Sequence, residues 1–355
     1  MRIITGISNA HSSEEIEAYV KAGVEEFFVG YIPKDWSDEY GWELSSNRRE
    51  TSSYQYRSKE DLATVVDLIH SHQKIVYLTV NAHEYNIKQT KLLLKILRDI
   101  ADVAFDGFIV SSVGIIMELR KNGFDQEINI SIGGGSNNIE TLRFFKDNFD
   151  NIGRFILPRK LTIKEIEEIA TYAAENNIRL EAFGMAAYCV FNDEFCFTWH
   201  GASNKCFCQS PMFEFREVRP QIFGMDWKNE VAGNDVASYY TKQAQTKAEI
   251  NHTRTAYQER NPKPATSAHE MSILHVLASL NKCGLCAFQK FKEWGIEAVK
   301  LPLRGQNHRG NLAIVDLARR AMEEKNASPQ FCQKIMGSPN FCSGSNCYYD
   351  YPYPK

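Results

Sequence analysis

Eight short β-rich runs, each followed by a stretch of helical or loop pattern, recur along this chain. They cover residues 3–7, 26–30, 74–80, 107–111, 129–132, 154–157, 179–183 and 298–301. Between them lie helical stretches such as 59–72, 90–101, 139–147 and 162–176. Ser12-Ser13-Glu14-Glu15 reads as an N-cap and first turn, and Ala22-Gly23 as a stop. A strand followed by a helix and another strand buries both apolar faces only if the strands run parallel with the helices outside. Eight such units predict an α/β fold of the (β/α)8 TIM-barrel type. A chain of 355 residues with 43% apolar content is long and apolar enough to fill that core and carry insertions.

The eighth unit is long delayed. Residues 213–281 are polar, with a helical stretch at 238–257 and a break at Asn261-Pro262-Lys263-Pro264. The expected organisation is therefore a barrel from 1–212 and 282–325, a helical insertion at 213–281, and a loop-like C-terminal tail at 326–355. That tail carries Cys332, Cys342 and Cys347, which read as exposed thiols, among Gly, Ser, Pro and Tyr. The formal net charge of −3 gives no global basic field for nucleic acid, leaving only local patches. No run of 18 apolar residues and no leader-like h-region is present, so no membrane span and a cytoplasmic home are expected.

Cysteine spacing is the main chemical signal. Cys189, Cys196, Cys206 and Cys208 read C-x6-C-x9-C-x-C, and Cys283-x2-Cys286 follows later. In a reducing compartment such thiols point to metal binding or catalysis rather than disulfides. Thiolates select zinc, Cu(I) or iron–sulfur clusters. Structural zinc sites favour short C-x2–4-C pairs, of which Cys283 and Cys286 form the one instance. Iron–sulfur, zinc and unligated thiols all stay open on spacing alone. Tyr188, Phe191, Phe195, Phe197 and Phe207 nearby read as ordinary core.

Barrel active sites are built on the loops after the strands, and several polar residues fall there. Arg159, Lys300 and Arg304 follow or end strands and suit a carboxylate or phosphate. Asn81 follows the third strand as a pocket-lining, substrate-binding candidate. His83 beside it and Glu181 on the seventh strand are the candidate proton carriers. Arg48, Arg49, Arg57, Arg216 and Arg219 read as surface charges. Gly133-Gly134-Gly135-Ser136-Asn137 lacks the Lys-Ser/Thr of a P-loop and reads as a turn or a close approach to a ligand. His308-Arg309-Gly310-Asn311, opening a helix at 311–325, suits a phosphate. Neither G-x-S-x-G nor H-E-x-x-H occurs.

In order and spacing, several segments resemble the collagenase-like peptidase family U32. They are Ile128-Asn129-Ile130-Ser131, Arg143-Phe144-Phe145, and Ile156-Leu157-Pro158-Arg159 running on to Ile166. Leu180-Glu181-Ala182-Phe183 leading into Cys189-x6-Cys196 follows, then Leu285-Cys286 and Trp294 to Leu301 with Arg304. The resemblance implies a barrel and a [4Fe–4S] cluster on Cys189, Cys196, Cys206 and Cys286, with Cys208 and Cys283 as competing ligands and zinc as the alternative metal. It implies oxygen-independent hydroxylation of an aromatic precursor or an RNA base, with a prephenate-like oxygen donor, in an organism living at low oxygen. Peptide cleavage is a second reading. A zinc-stabilised, non-catalytic scaffold with a partner subunit in a modification complex is a third. The expected ligands are thus a small anionic molecule and an RNA or peptide substrate. The chain departs from the family pattern at Met185-Ala186, where His-Gly is usual, and at Ile132-Gly133 after Ser131, where Thr-Gln is usual.

Overall fold

The computed structural model describes residues 1–42, 44–49, 54–185, 193–196, 283–304, 308–336 and 347–349. Its strands are β1 (Arg2–Gly6), β2 (Glu26–Val29), β3 (Ile75–Val80), β4 (Gly107–Val110), β5 (Glu127–Ile130), β6 (Ile152–Ile156), β7 (Arg179–Phe183) and β8 (Ala298–Leu301). All neighbours pair in parallel, and β8 returns to β1 through the register Ile4↔Lys300, so the sheet closes into an eight-stranded barrel. The α/β barrel read from the alternation is the observed fold. Strand bounds shift by one or two residues, as at β5, which begins at Glu127 rather than Asn129.

The helices are α1 (Ser13–Lys21), α2 (Lys34–Tyr40), α3 (Lys59–Ser71), α4 (Ile87–Asp99), α5 (Val113–Lys121), α6 (Ile139–Asn148) and α7 (Ile163–Glu175). After them come α8 (Phe288–Glu293), α9 (His308–Glu323) and α10 (Pro329–Met336). Their starts are chemically marked. Ser12 with Glu15, Asn86 with Gln89 and Thr162 with Glu165 form reciprocal capping boxes, each satisfying two otherwise orphaned N–H groups. Their inner faces follow helical spacing. Leu62, Val65, Val66 and Ile69 are the buried side of α3, and Ile166, Ile169, Ala170 and Ala173 that of α7. Most strand residues are buried on both faces, as a parallel sheet covered by helices requires.

Two expectations for the C-terminal part change. The tail is not loop throughout: residues 329–336 are helix α10, with Cys332, Ile335 and Met336 buried. Nor are its described cysteines exposed. Cys332 is fully buried, and Cys347 pairs through a parallel bridge with Cys283. The chain at 347–349 is strapped onto the barrel. The Tyr348 amide donates to the Cys283 carbonyl at 3.0 Å, and the Tyr349 hydroxyl to the Phe183 carbonyl at 2.7 Å. The expected insertion at 213–281 lies outside the described residues, as do Arg216 and Arg219.

Candidate active site

A line of alternating charge runs up the barrel interior. At the N-terminal end Arg2, one-third exposed, meets Glu26 at 2.6 Å. Glu26 also takes the guanidinium of Arg154, through Nη2 and through a 3.3 Å bond from Nη1. Because β2 and β6 are not neighbours, this contact crosses the barrel and places both side chains inside it. Arg154 Nε lies 3.4 Å from Glu181 Oε2, and the other oxygen of Glu181 accepts from Lys300 Nζ at 2.8 Å. Glu26, Arg154, Glu181 and Lys300 are all buried. Burial acts against the charge of Arg154, but Glu181 and Glu26 more than offset it and raise its pKa. For Lys300 the balance falls the other way. Burial, helped by Arg154 and Arg304, lowers its pKa despite Glu181.

One step of strand period above this layer, the side chains of Phe28, Thr79, Ile109, Ser131, Ile156, Phe183 and Lys300 line a pocket at the C-terminal mouth. Asn81, Arg48, Arg49, Arg159 and Arg304 complete its wall. The sequence-predicted Asn81, Arg159, Lys300 and Arg304 are therefore brought together here, with Glu181 one layer below. Asn81 holds the wall in shape: its Oδ1 accepts from the Arg48 amide at 3.1 Å and its Nδ2 donates to Ser131 Oγ at 3.2 Å. The Arg159 fork is already engaged, with Nη2 at 2.5 Å and Nε at 3.2 Å from the Asp193 carboxylate, and its guanidinium lies 4.8 Å from the Phe183 ring centroid. Arg304 Nη1 donates to the Arg48 carbonyl at 2.9 Å.

Arg48 and Arg49 are not surface charges. Residues 44–49, between β2 and α3, fold inward, and both guanidinium groups are buried. Arg48 reaches Asp193 at 3.3 Å. Arg49 donates to the carbonyls of Ile7, Phe28 and Tyr54 at 2.7, 2.6 and 2.9 Å, and meets no carboxylate among the described residues. Burial, aided by Arg304, pushes its pKa well down from the ordinary arginine value. Asp193, which sequence reasoning did not single out, is the carboxylate that ties two of these arginines together. Arg57, by contrast, is exposed and stacks on Trp42.

His83 stands behind the pocket wall. Its ring packs against Gly133, where an added Cβ would come within 2.7 Å of it. Its Nε2 is buried with no hydrogen-bond partner, and burial together with Arg48 brings its pKa down to about 4, against the pull of Asp193. Gly133 and Gly134 thus let the backbone approach His83, Ser111 and Ile130 more closely than a side chain would allow. Ile132–Gly134 form a 3₁₀ turn against the turn at Asp193–Phe195, secured by Asn137 donating to Glu194 at 2.9 Å. At the start of α9, His308 packs edge-on against Tyr19 and lies 4.0 Å from Glu15.

Cys196, Cys283, Cys286 and Cys347, among the described thiols, lie on segments at this end of the barrel. Cys196 follows the Asp193 turn and is buried. Cys283 pairs with Met185 just beyond β7, and Cys286 sits in the 3₁₀ turn Leu285–Ala287. Of the four ligands implied by the resemblance, Cys196 and Cys286 are described. Cys189 and Cys206 lie outside the described residues, as does the competing Cys208. Among the described residues, no three His, Cys, Asp or Glu side chains are arranged to hold a metal. The donor chemistry fits a thiolate-bound metal, while a full ligand set is not on view. No helix among the described residues is long and apolar enough to cross a membrane.

A parallel barrel with thiols on the adjoining loops defines a TIM-barrel protein with a cation-lined pocket at its C-terminal mouth. The chain belongs to peptidase family U32, whose family model matches residues 11–341. It is 34% identical over 125 residues to "tRNA hydroxylation protein P" of Haemophilus influenzae, a match covering 35% of this chain and 26% of that protein. With the Escherichia coli protein of the same name it shares 28% identity over 131 residues, 37% of this chain and 28% of the relative. These two matches thus span little more than a quarter of the relatives' length. "tRNA hydroxylation protein P2" of Bacillus subtilis is 22% identical over 295 residues, covering 82% of this chain and 81% of its own. Among solved structures, "The Structure of the U32 Peptidase Mk0906" matches with a TM-score of 0.39 at 13% identity, over 65% of this chain and 84% of that one.

Proposed function

We propose that this chain is an RNA-modifying enzyme of the hydroxylase type, acting on a tRNA base with the help of a small anionic co-substrate held in the barrel mouth. The observation that carries this reading is the charge of the pocket. Arg48, Arg49, Arg159, Lys300 and Arg304 stand around it, with Asp193 and Glu181 as carboxylate partners among the described residues. Arg49 among them is buried and meets no carboxylate among the described residues, and guanidinium and ammonium groups lining one small pocket suit a carboxylate or phosphate as its ligand. The names of the three relatives, all tRNA hydroxylation proteins, support RNA as the second substrate.

Cys189, Cys196, Cys206 and Cys286 would hold the [4Fe–4S] cluster implied by the family resemblance, with Cys208 and Cys283 as competing ligands. When bound there it would supply the redox chemistry that side chains lack. The chain's own residues do the rest. Arg49 and Arg304 orient the anion, Asn81 fixes the backbone of Arg48, and Phe28, Ile156 and Phe183 exclude water from the pocket floor.

The test has two parts. Anaerobically purified protein is assayed for iron, sulfide and zinc, with a visible spectrum, alongside Cys189→Ala. Iron with sulfide, lost in the variant, is expected; one zinc and no iron overturns the redox reading. Nucleosides from the tRNA of a deletion strain are then compared by mass spectrometry with those of the complemented strain. A hydroxylated nucleoside that returns with wild type but not with Arg49→Met is expected, and unchanged tRNA in all three overturns the reading.

A further inference from the structure

The charge line inside the barrel ends in a group that differs from the rest. Arg2, Glu26, Arg154, Glu181 and Lys300 alternate in sign, and Lys300 is the end member, meeting one carboxylate among the described residues where Arg154 meets three. If Lys300 passes its proton to Glu181, Arg154 keeps Glu26 as its counter-ion, so the transfer leaves no buried charge unpaired. Arginine cannot make the same change at accessible pH, whereas a buried lysine can. Lys300 Nζ also faces the pocket, 4.3 Å from the Phe28 ring centroid, on the wall it shares with Arg49 and Arg304. A buried amine beside other cations, with a carboxylate at 2.8 Å to take its proton, is an arrangement that makes lysine a nucleophile toward carbonyl carbon.

We infer that Lys300 is a reactive amine that captures an anionic carbonyl compound, of the α-keto acid or α-aldehyde acid class, as a Schiff base. The arginines hold the carboxylate of the ligand and present its carbonyl to Nζ. The Lys300 ammonium passes one proton to Glu181 Oε1, 2.8 Å away, and the freed amine adds to the carbonyl carbon to form a carbinolamine. The C–O bond then breaks with protonation of the oxygen by Glu181, water leaves, and the C=N bond forms. No oxidant or reductant is consumed. The inference rests on the reading of the barrel mouth as an anion site. It adds covalent capture, which binding alone does not need. The lowered pKa of Lys300 agrees with it, because the amine becomes available nearer neutral pH than that of an exposed lysine.

Sodium borohydride with glyoxylate tests it on the full-length protein. A single reduced adduct is expected near neutral pH, mapped by peptide mass spectrometry to Lys300 and absent when glyoxylate is replaced by neutral acetaldehyde. The adduct should be lost in Lys300→Arg, which keeps the positive charge and is checked for folding by circular dichroism. It should form more slowly in Glu181→Gln. Calorimetry with glyoxylate alone separates the two layers of the argument. Binding without a trapped adduct overturns the Schiff base and leaves the anion pocket standing. Labelling spread over exposed lysines such as Lys121 also overturns it. A protein that neither binds nor traps glyoxylate overturns both.

Discussion

His83 shows how one side chain reports on the packing around the site. Its ordinary pKa of about 6.5 falls to about 4 in the folded protein. Between those values the unfolded chain binds more protons than the folded one, so stability rises with pH through that window and is lost as pH falls through it. Because the ring is not wholly enclosed, the discounted effect is about 2 kcal/mol. His83→Gln should flatten the acid limb of a stability–pH curve measured by urea unfolding between pH 4 and 7, and an unchanged limb would show that His83 is not the group responsible. Arg49 makes the functional counterpart. Removing its guanidinium in Arg49→Met should weaken binding of a small carboxylate by roughly 10-fold or more, the loss of a charge-assisted hydrogen bond in a desolvated site. Isothermal calorimetry checks this, and equal affinity would move the anion elsewhere. Asn81, Arg159, Lys300 and Arg304 were legible because they end or follow strands, where barrel chemistry collects. Arg48, Arg49 and Asp193 were not. Residues 44–49 carry no periodicity that marks an inward fold, and the pairing of Asp193 with two arginines joins segments about 34 and 145 residues apart.

Elements follow local rules more closely, and where they were missed the cue was present. Ser328-Pro329 is an N-cap followed by proline at the first helical position, ahead of Phe331, Cys332, Ile335 and Met336 at helical spacing, which is the start signal for α10. The Gly, Ser and Tyr composition around it obscured that signal. The turns from helix back to strand repeat one device. Gly23, Gly123 and Gly295 sit at positive φ where chains leave α1, α5 and α8, and Gln73 and Asn177 take the same left-handed conformation after α3 and α7. Gln73, with φ of 57°, bears steric strain that glycine would not. Gln73→Gly should raise stability by a few tenths to about 1 kcal/mol after the entropic cost of glycine in the unfolded chain. A lower thermal midpoint would count against this account of the turn. The strap at 347–349 depends on a missing side chain, because a Cβ at Gly284 would meet the Tyr349 ring at 2.8 Å and the neighbouring carbonyls of Phe183 and Gly184 at 3.2 Å. Gly284→Ala should therefore loosen the strap, seen as faster hydrogen exchange at the Tyr348 amide, while the barrel amides stay protected.

At the scale of the whole molecule, closure of the barrel was legible from eight alternating units, whereas the charged line through its interior was not. Each member, read alone, is a single charged residue on a strand, and only closure of the sheet brings Glu26 of β2 against Arg154 of β6. That line makes the barrel's stability depend on one side chain. Arg154 is the shared counter-ion of Glu26 and Glu181, with Glu297 3.5 Å away at the base. Replacing it by methionine keeps the apolar bulk and strands Glu181 with Lys300 and Glu26 with the one-third-exposed Arg2. Breaking a buried pair in this way costs about 3–5 kcal/mol, since the carboxylates remain desolvated. Because the contact spans opposite walls, the loss should appear as one cooperative shift of the whole unfolding transition rather than as early fraying of one unit. A double-mutant cycle distinguishes a coupled line from separate pairs. If Arg154 and Glu26 act as a unit, Glu26→Gln placed in the Arg154→Met background should recover part of the loss, because it removes a stranded charge. The coupling should exceed ~1 kcal/mol. If the two substitutions instead add to within ~0.5 kcal/mol, Glu26 is adequately served by Arg2 alone and the interior charges are independent neighbours.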